Sequence, residues 1–375
     1  MKSLNLEKYY IWGTGYRAEQ INQYYAEQLN DINIIGYIDN NPAKWKDYFF
    51  GKKIYSPEIL IEDKDAYIII ITKFSQEIVK QIIEQYPWYK ERIVENENNI
   101  FFKRLQILFR YEDSEEKEIQ DIVKYLKYHQ LQLFNYPFVE KYNTEDSHIE
   151  YDQDKKLYYA LYCDKKMYFP RSFQDEKSVR EYFRLVCIHQ DTDSPHRYLT
   201  DKFNVPDNAV VVDGGVAEGD FALSIIDRVK KIYLFEPDGE WVKALKHTFE
   251  PYKEKIVIIN KCLSNYIKGD TTTLDEILDG SNVDFIKMDI EGEEYYAMQG
   301  ALKSITATEN LRVVVCTYHQ EFAYDAIKKL LEDLHFKTET STGYIWCPAS
   351  FNPMRPPVLR KCLIRAEKNS NKSIN

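Results

Sequence analysis

The sequence has no two cysteines at C-x-x-C spacing: Cys163, Cys187, Cys262, Cys316, Cys347 and Cys362 stand apart. This excludes a zinc ribbon and a thioredoxin-type redox motif, and several of these cysteines fall in apolar strand patterns as small core residues. It also lacks any apolar run near the roughly 18–20 residues needed to span a bilayer. Its first residues enter a strand pattern with no apolar signal-peptide segment, so a soluble cytoplasmic protein is expected. A basic excess is absent too, since 50 basic residues against 60 acidic ones give a net charge of −10. Nonspecific nucleic-acid binding needs a basic face to neutralise phosphates, so that class is set aside.

What is present is a 375-residue chain with 44% hydrophobic and 15% aromatic residues, enough for substantial cores and long enough for two domains. Tyrosine is frequent, at 31 residues, and a bias toward Lys, Asn, Ile and Tyr accounts for this better than an aromatic carbohydrate platform. The most informative stretch is Val210-Val211-Val212-Asp213-Gly214-Gly215-Val216-Ala217-Glu218-Gly219-Asp220-Phe221. A short apolar β-branched run is what a buried parallel strand requires. The glycines after it let a ligand approach the backbone, and a helix start beyond them favours an anionic group. A second apolar strand, Lys231 to Phe235, delivers Glu236, where a carboxylate accepts hydrogen bonds from ribose hydroxyls. The unit reads as a site for a nucleoside-containing cofactor.

The first hundred residues repeat this grammar. Tyr9 to Trp12 reads as a strand, Gly13-Thr14-Gly15-Tyr16-Arg17-Ala18 as a G-x-G-x-x-A turn, and the stretch to about Leu29 as a helix. Ile34 to Ile38 is a strand ending at Asp39, and Ala66 to Ile71 is a third. This is a mononucleotide-binding half of a doubly wound sheet, or a turn of purely structural purpose. With its Ile38-Asp39-Asn40-Asn41-Pro42 run, the segment resembles small Rossmann-like domains attached to bacterial sugar-modifying enzymes. That resemblance implies docking, dimerisation or nucleotide-sugar binding.

The expected organisation is a Rossmann-like domain over 1–104, a helical connector over 105–150, a catalytic domain over 151–366 and a frayed tail over 367–375. In the connector an acidic start, Glu112 to Glu118, precedes Ile119, Ile122, Val123 and Leu126 at helical spacing. Leu157 to Phe173 reads as a hairpin, Val179 to Ile188 as a helix, and Gln190 to Tyr198 as a polar loop. His196 and Arg197 in that loop are candidate sugar or phosphate contacts, or residues of a helix-capping loop. Further strands are expected at Lys255 to Ile259, Val283 to Met288, Leu311 to Cys316, around Tyr344 to Trp346 and at Leu359 to Ala366. Helices are expected at Trp241 to His247, Thr271 to Leu278, Glu294 to Lys303 and Ala323 to Leu334.

Four motifs in order, Asp213-x-Gly215-x-x-x-Gly219, Phe235-Glu236-Pro237, Thr273-Leu274-Asp275-Glu276-Ile277 and Ile286-Lys287-Met288-Asp289-Ile290-Glu291-Gly292-x-Glu294, resemble the FkbM-type methyltransferases. The resemblance covers about residues 182–346. It implies an α/β fold: a class I methyltransferase core with a mostly parallel sheet and an antiparallel edge, preceded by the smaller Rossmann-like domain. It also implies S-adenosylmethionine and O-methylation, commonly of a sugar or polyketide hydroxyl. Carried over, Asp213, Gly215 and Gly219 would hold the methionine part of the cofactor, with Glu218 beside it as a departure from many relatives. Glu236 and Pro237 would hold the ribose side, and the segment of Cys262 and Ser264 would flank the adenine.

Methyl transfer from a sulfonium is an in-line displacement, and alignment alone is worth about 7–11 kcal/mol of barrier. A hydroxyl nucleophile must also give up its proton, which a positioned base accelerates by roughly 10²–10⁴. The family's strand order would put Asp213, Asp289 and His319 side by side at the carboxyl edge. His319 is then the candidate general base and Asp289 its orienter or co-base. Lys287, Glu291 and Tyr318 are candidate acceptor contacts, Lys287 being equally readable as a structural ion pair. Asp289, Glu291 and His319 also form a set suited to Mg²⁺ or Mn²⁺. The expected acceptor is a small or nucleotide-linked sugar, or a surface glycan of capsular or lipopolysaccharide type, and a homodimer through the first domain is expected. The alternative reading is an NAD(P)-dependent oxidoreductase or nucleotide-sugar-binding module built on Gly13 and Gly15, though no hydride-transfer acid or base stands beside that turn.

Overall fold

A computed structural model describes residues 7–368, apart from 25, 27–28, 30–31, 73, 95–99 and 348–357. The described residues form two compact units, one reaching to residue 135 and one holding 136–347 and 359–368.

The first unit is built on a six-stranded sheet. Its strands are β1 (Tyr9–Trp12), β2 (Ile34–Ile38), β3 (Tyr48–Phe49), β4 (Lys52–Tyr55), β5 (Tyr67–Ile70) and β6 (Ile93–Val94), in the order β3-β4-β2-β1-β5-β6. All neighbours run parallel except β3 against β4. All four residues of β1 are buried, as a central strand covered on both faces requires. Trp12, Ile38, Ile68, Ile70, Ile82 and Tyr89 share one core. The helix Lys117–Leu126 buries Ile119, Ile122, Val123 and Leu126, the positions its spacing marks. Its last carbonyls are satisfied by Arg104, which donates to Leu126 O at 2.6 Å and Lys127 O at 2.9 Å.

The second unit opens with an antiparallel sheet of β7 (Ile149–Asp152), β8 (Leu157–Tyr162) and β9 (Lys165–Tyr168). The expected hairpin thus has a third strand, β7, in a stretch that reads as connector. Its burial pattern is one buried residue, two exposed and one half-buried, which leaves little apolar signal. Leu157, Tyr159 and Tyr168 pack on Ala244 and Trp241 of the helix Gly239–Thr248.

The main sheet takes β10 (Val210–Gly214), β11 (Lys231–Phe235), β12 (Ile256–Ile259), then, past the short pair β13 (Cys262–Leu263) and β14 (Thr271–Thr272), β15 (Phe285–Met288), β16 (Arg312–Cys316) and β17 (Phe336–Thr340). After another short pair, β18 (Tyr344–Ile345) and β19 (Arg360–Lys361), it is completed by β20 (Leu363–Lys368). The order is β12-β11-β10-β15-β16-β20-β17, and β20 runs antiparallel to both of its neighbours. This is the class I methyltransferase-like α/β arrangement, mostly parallel with an antiparallel insertion near one edge. The chain leaves β10 toward β11 and returns to its other side as β15, so the crevice at their carboxyl ends is a switch point.

Three details depart from the sequence reading. β17 has no counterpart in it, because Phe-Lys-Thr-Glu-Thr buries a single apolar residue at the sheet edge. Glu367 and Lys368, read as frayed, belong to β20: Glu367 pairs with Arg312 at 2.8 Å and Lys368 donates to the carbonyls of Ile305 and Thr306. Residues 369–375 lie outside the described residues. The expected helix Glu294 to Lys303 is two helices, Glu294–Gln299 and Leu302–Ala307. The break falls at Gly300, where a Cβ would stand 2.1 Å from the Ser264 carbonyl.

Gly300 has φ −74°, so alanine there suffers no backbone strain and only the steric clash remains. Gly300→Ala is expected to lower the stability of this unit by about 1–3 kcal/mol, the usual cost of overpacking, measured by denaturant unfolding. An unchanged midpoint would mean the Ser264 turn yields freely.

Candidate active site

A cavity of about 420 Å³ lies at the carboxyl ends of β10, β11 and β15. Its floor is set by backbone contact between the turns after β10 and β15. Asp289 N donates to Gly214 O at 3.0 Å, and Gly215 (φ +73°) comes so close that a Cβ would stand 1.7 Å from Asp289 O. Only glycine fits that approach. Ala217 (φ +44°) and Glu291 (φ +56°), both on the wall, hold left-handed conformations that non-glycine residues seldom adopt. Such outliers gather at ligand-binding loops because the surrounding structure enforces them.

At the end of β11, Glu236 accepts hydrogen bonds from Ala217 N–H and Asp238 N–H, each at 2.8 Å. Each carboxylate oxygen keeps a lone pair beyond the one used, and the group faces the cavity. Burial raises its pKa, partly offset by those two backbone donors. The loop beyond is fixed by Asn260, which donates to the carbonyls of Glu236 and Pro237 at 2.9 and 2.8 Å.

Beneath the turn, Lys287 and Asp213 form a buried ion pair at 3.0 Å. Lys287 also donates to the carbonyls of Gly214 and Gly215 and lies 5.1 Å from the Tyr198 ring centre. Burial would discharge this ammonium, yet Asp213, Asp289 and Asp220 around it raise its pKa. Lys287 is therefore a structural ion pair whose charge is also felt at the cavity wall.

Asp289, after β15, is the hub of the far wall. Tyr198 donates to Oδ2 at 2.7 Å and Tyr318 to Oδ1 at 3.2 Å, and His196 Nε2 lies 3.3 Å from Oδ2. Burial opposes its ionisation, but His196, Lys287 and His319 outweigh that and hold the carboxyl well below its ordinary range. His319 stands behind this group. Its Nδ1 pairs with the buried Glu294 at 2.7 Å, and its Nε2 lies 3.7 Å from Asp289 and 3.5 Å from Glu291. Burial alone would lower its pKa; the Glu294 hydrogen bond and the Asp289 charge raise it.

Of the residues marked from sequence, Gly215, Glu218, Glu236, Pro237, Cys262, Lys287, Asp289, Glu291 and Tyr318 line this one cavity. Asp213, Gly219, Ser264, His196, Arg197 and His319 do not. Asp213 is sealed beneath the turn by Lys287. At Gly219 (φ +87°) a Cβ would press on Phe249 and Leu245, so this glycine serves helix packing. Ser264 donates to Glu293, and the Arg197 carbonyl, like that of Tyr198, is held by Arg365 of β20. His196 braces Asp289 from behind. The compact carboxylate–imidazole set is Asp289, Glu294 and His319, with ligand atoms within 4.8 Å of one another. Glu291, whose side chain is 84% exposed and reaches His319 at 3.5 Å, falls outside it.

Sequence reasoning missed Tyr198, Tyr182, Trp241 and Asp220 on the wall. Tyr198 directly follows the marked pair His196-Arg197. Tyr182 sits on the helix Glu176–His189 with no spacing signal, and it donates to Glu218 at 2.8 Å. Asp220 is two residues from Glu218, and both carboxyls are buried.

A mostly parallel α/β sheet thus carries, around one cavity at its switch point, a glycine turn and the carboxylates of Glu236 and Asp289. Residues 215–338 match the family model for the methyltransferase FkbM domain, and residues 5–94 match that for the N-terminal domain of C2185-like proteins. The chain contains an FkbM-type methyltransferase domain. No curated protein matches. Among solved structures, the chain is similar to a methyltransferase FkbM from Methylobacillus flagellatus KT, at 15% identity over 96% of this chain and 90% of that one, with a TM-score of 0.40. It is also similar to SMU.1697c, a putative methyltransferase from Streptococcus mutans in complex with SAH, at 13% identity over 44% of this chain and 90% of that one, with a TM-score of 0.32. Among the described residues, no helix is long and apolar enough to cross a membrane.

Burial and the Asp220 charge push Glu218 up to about 8, from an ordinary 4.5. Folded Glu218 thus keeps its proton across a window in which the unfolded group has lost it, and its contribution to stability falls as pH rises. Glu218→Gln is expected to gain stability relative to the native chain between pH 5 and 8, measured by urea unfolding across that range. A difference independent of pH would show that Glu218 is ionised in the fold.

Proposed function

We propose that this unit is an S-adenosylmethionine-dependent O-methyltransferase acting on a hydroxyl of a sugar, nucleotide-linked or part of a surface glycan. The observation that carries the reading is one cavity joining Glu236 to Asp289, a ribose-binding acid and an ionised carboxylate on adjoining walls. The cofactor's expected groups find partners: Glu236 for ribose hydroxyls, Pro237, Cys262 and Leu263 as apolar wall for the adenine, and the Gly215 to Glu218 turn for the amino-acid tail. When bound, S-adenosylmethionine supplies an electrophilic methyl carbon on a positively charged sulfur.

The chain's own contribution is alignment and proton transfer. Asp289 is anionic and keeps lone pairs beyond those taken by Tyr198 and Tyr318, so it accepts the acceptor hydroxyl's proton. A carboxylate held this acidic is a weak base, and the proton moves late, as the oxygen becomes acidic on bonding to carbon. Tyr318 and Tyr198 fix the carboxylate's orientation. His319, braced by Glu294, acts as a positioning residue behind Asp289. The sugar reading is supported by the FkbM resemblance and by Tyr182 and Trp241, whose rings lie 5.6 Å apart on the wall and suit the apolar face of a pyranose. The carboxyls of Glu218 and Glu293 on the same wall suit its hydroxyls.

The test is calorimetry with S-adenosylhomocysteine, then turnover on a panel of nucleotide sugars. Glu236→Ala is expected to weaken cofactor binding at least about tenfold, the scale of losing charged hydrogen bonds. Asp289→Asn is expected to keep binding within a few-fold and to lose roughly 10²–10⁴ in turnover. No binding by the native chain would overturn the cofactor, and full turnover by Asp289→Asn would overturn the base.

A further inference from the structure

The first unit has a cavity of its own, about 510 Å³, at the carboxyl ends of β1, β2 and β5. The chain leaves β1 toward β2 and returns to its other flank as β5, so the cavity lies at this sheet's switch point, where open α/β sheets take ligands. Its two glycines differ in purpose. Gly13 (φ +119°) is pressed on the end of β5, and a Cβ there would stand 2.5 Å from Ile71 O. At Gly15 a Cβ would meet nothing within 4 Å, so that position leaves space the fold does not use.

The walls sort into an apolar and a charged part. Trp12, Ile71 and Ile78 form the apolar floor, and two exposed aromatic rings line it from separate elements, Tyr16 (73% exposed) at the start of the helix Tyr16–Tyr24 and Phe74 (52%) in the turn after β5. The single carboxylate, Asp39, is already engaged: it accepts from Thr14 N and Oγ1, from Asn41 N at 2.9 Å and from Lys44 Nζ at 2.9 Å. Lys44 donates also to Thr14 Oγ1 at 3.0 Å, and Arg17 has no ion-pair partner among the described residues. Two cations thus stand against one carboxylate whose acceptor sites are mostly taken, which favours a ligand that brings a phosphate. Asn40, after β2, and Gln81, in the helix Ser75–Gln85 after β5, exchange two side-chain hydrogen bonds, so the flanking elements are tied together across the end of β1.

We propose that this cavity binds a phosphorylated nucleoside, its ring against Tyr16 and Phe74 and its phosphate at Arg17 and Lys44. The inference is independent of the methyl-transfer reading.

Calorimetry on the full chain with ADP, UDP, NADH and inorganic phosphate tests it. ADP or UDP is expected to bind, with inorganic phosphate at least tenfold weaker. Gly15→Leu puts a side chain where an added Cβ meets nothing within 4 Å, and Arg17→Ala removes the cation that has no ion-pair partner among the described residues. Each is expected to weaken nucleotide binding at least tenfold with an unchanged thermal midpoint, while Glu236→Ala, in the other unit, leaves it intact. Absence of nucleotide binding, or binding that survives both substitutions, would overturn the proposal. So would inorganic phosphate matching the nucleotides, which removes the ring contact, or NADH binding more tightly than ADP, which restores a dinucleotide site.

Discussion

A single ammonium group deep in the second unit holds together the turns at the carboxyl end of its sheet. Lys287 pairs with Asp213, donates to the carbonyls of Gly214 and Gly215, and lies under the Tyr198 ring. A lone charge at that depth would cost several kcal/mol, so each partner makes the other tolerable. The pair spans β10 and β15, the strands on either side of the switch point, and it fixes the glycine turn from below.

The same charge reaches upward. Asp289 remains ionised partly because Lys287 lies behind it, with His196 and His319 adding to the effect. Glu218 and Asp220, also buried but one turn further along, are pushed the opposite way. Carboxyls of one cavity thus hold different protonation states through the placement of a few cations. Divergent pKa values in one site are the usual signature of assigned roles. Here they separate an ionised group at the end of β15 from Glu218, pushed up to about 8 at the glycine turn.

The strands, the glycine turn and Glu236 were legible because each rests on a local rule: β-branched runs for buried parallel strands, glycine where backbones touch, an acid after the second strand. What was illegible is what depends on three dimensions. His319 follows β16 as expected, but its ring turns to Glu294, which reads from sequence as an ordinary first residue of a helix. Lys287 turns to Asp213 beneath the glycine turn, a choice sequence left open. β17 escaped because an edge strand with one buried residue carries no periodic signal. Tyr182 and Tyr198 reach the cavity from elements with no motif at all, so no spacing rule points to them.

Arg365 has a consequence for the order in which the site comes into being. From β20 it holds the carbonyls of Arg197 and Tyr198, the loop whose tyrosine engages Asp289, and β20 itself sits between β16 and β17. On a ribosome the glycine turn, Glu236 and Asp289 all emerge well before residue 365. A nascent chain can assemble the Glu236 side of the cavity early, while its Tyr198 side waits for a strand still to be translated. Until that strand inserts, the edge of β16 stands open, and synthesis of this unit carries a short interval in which a chaperone has a strand edge to guard.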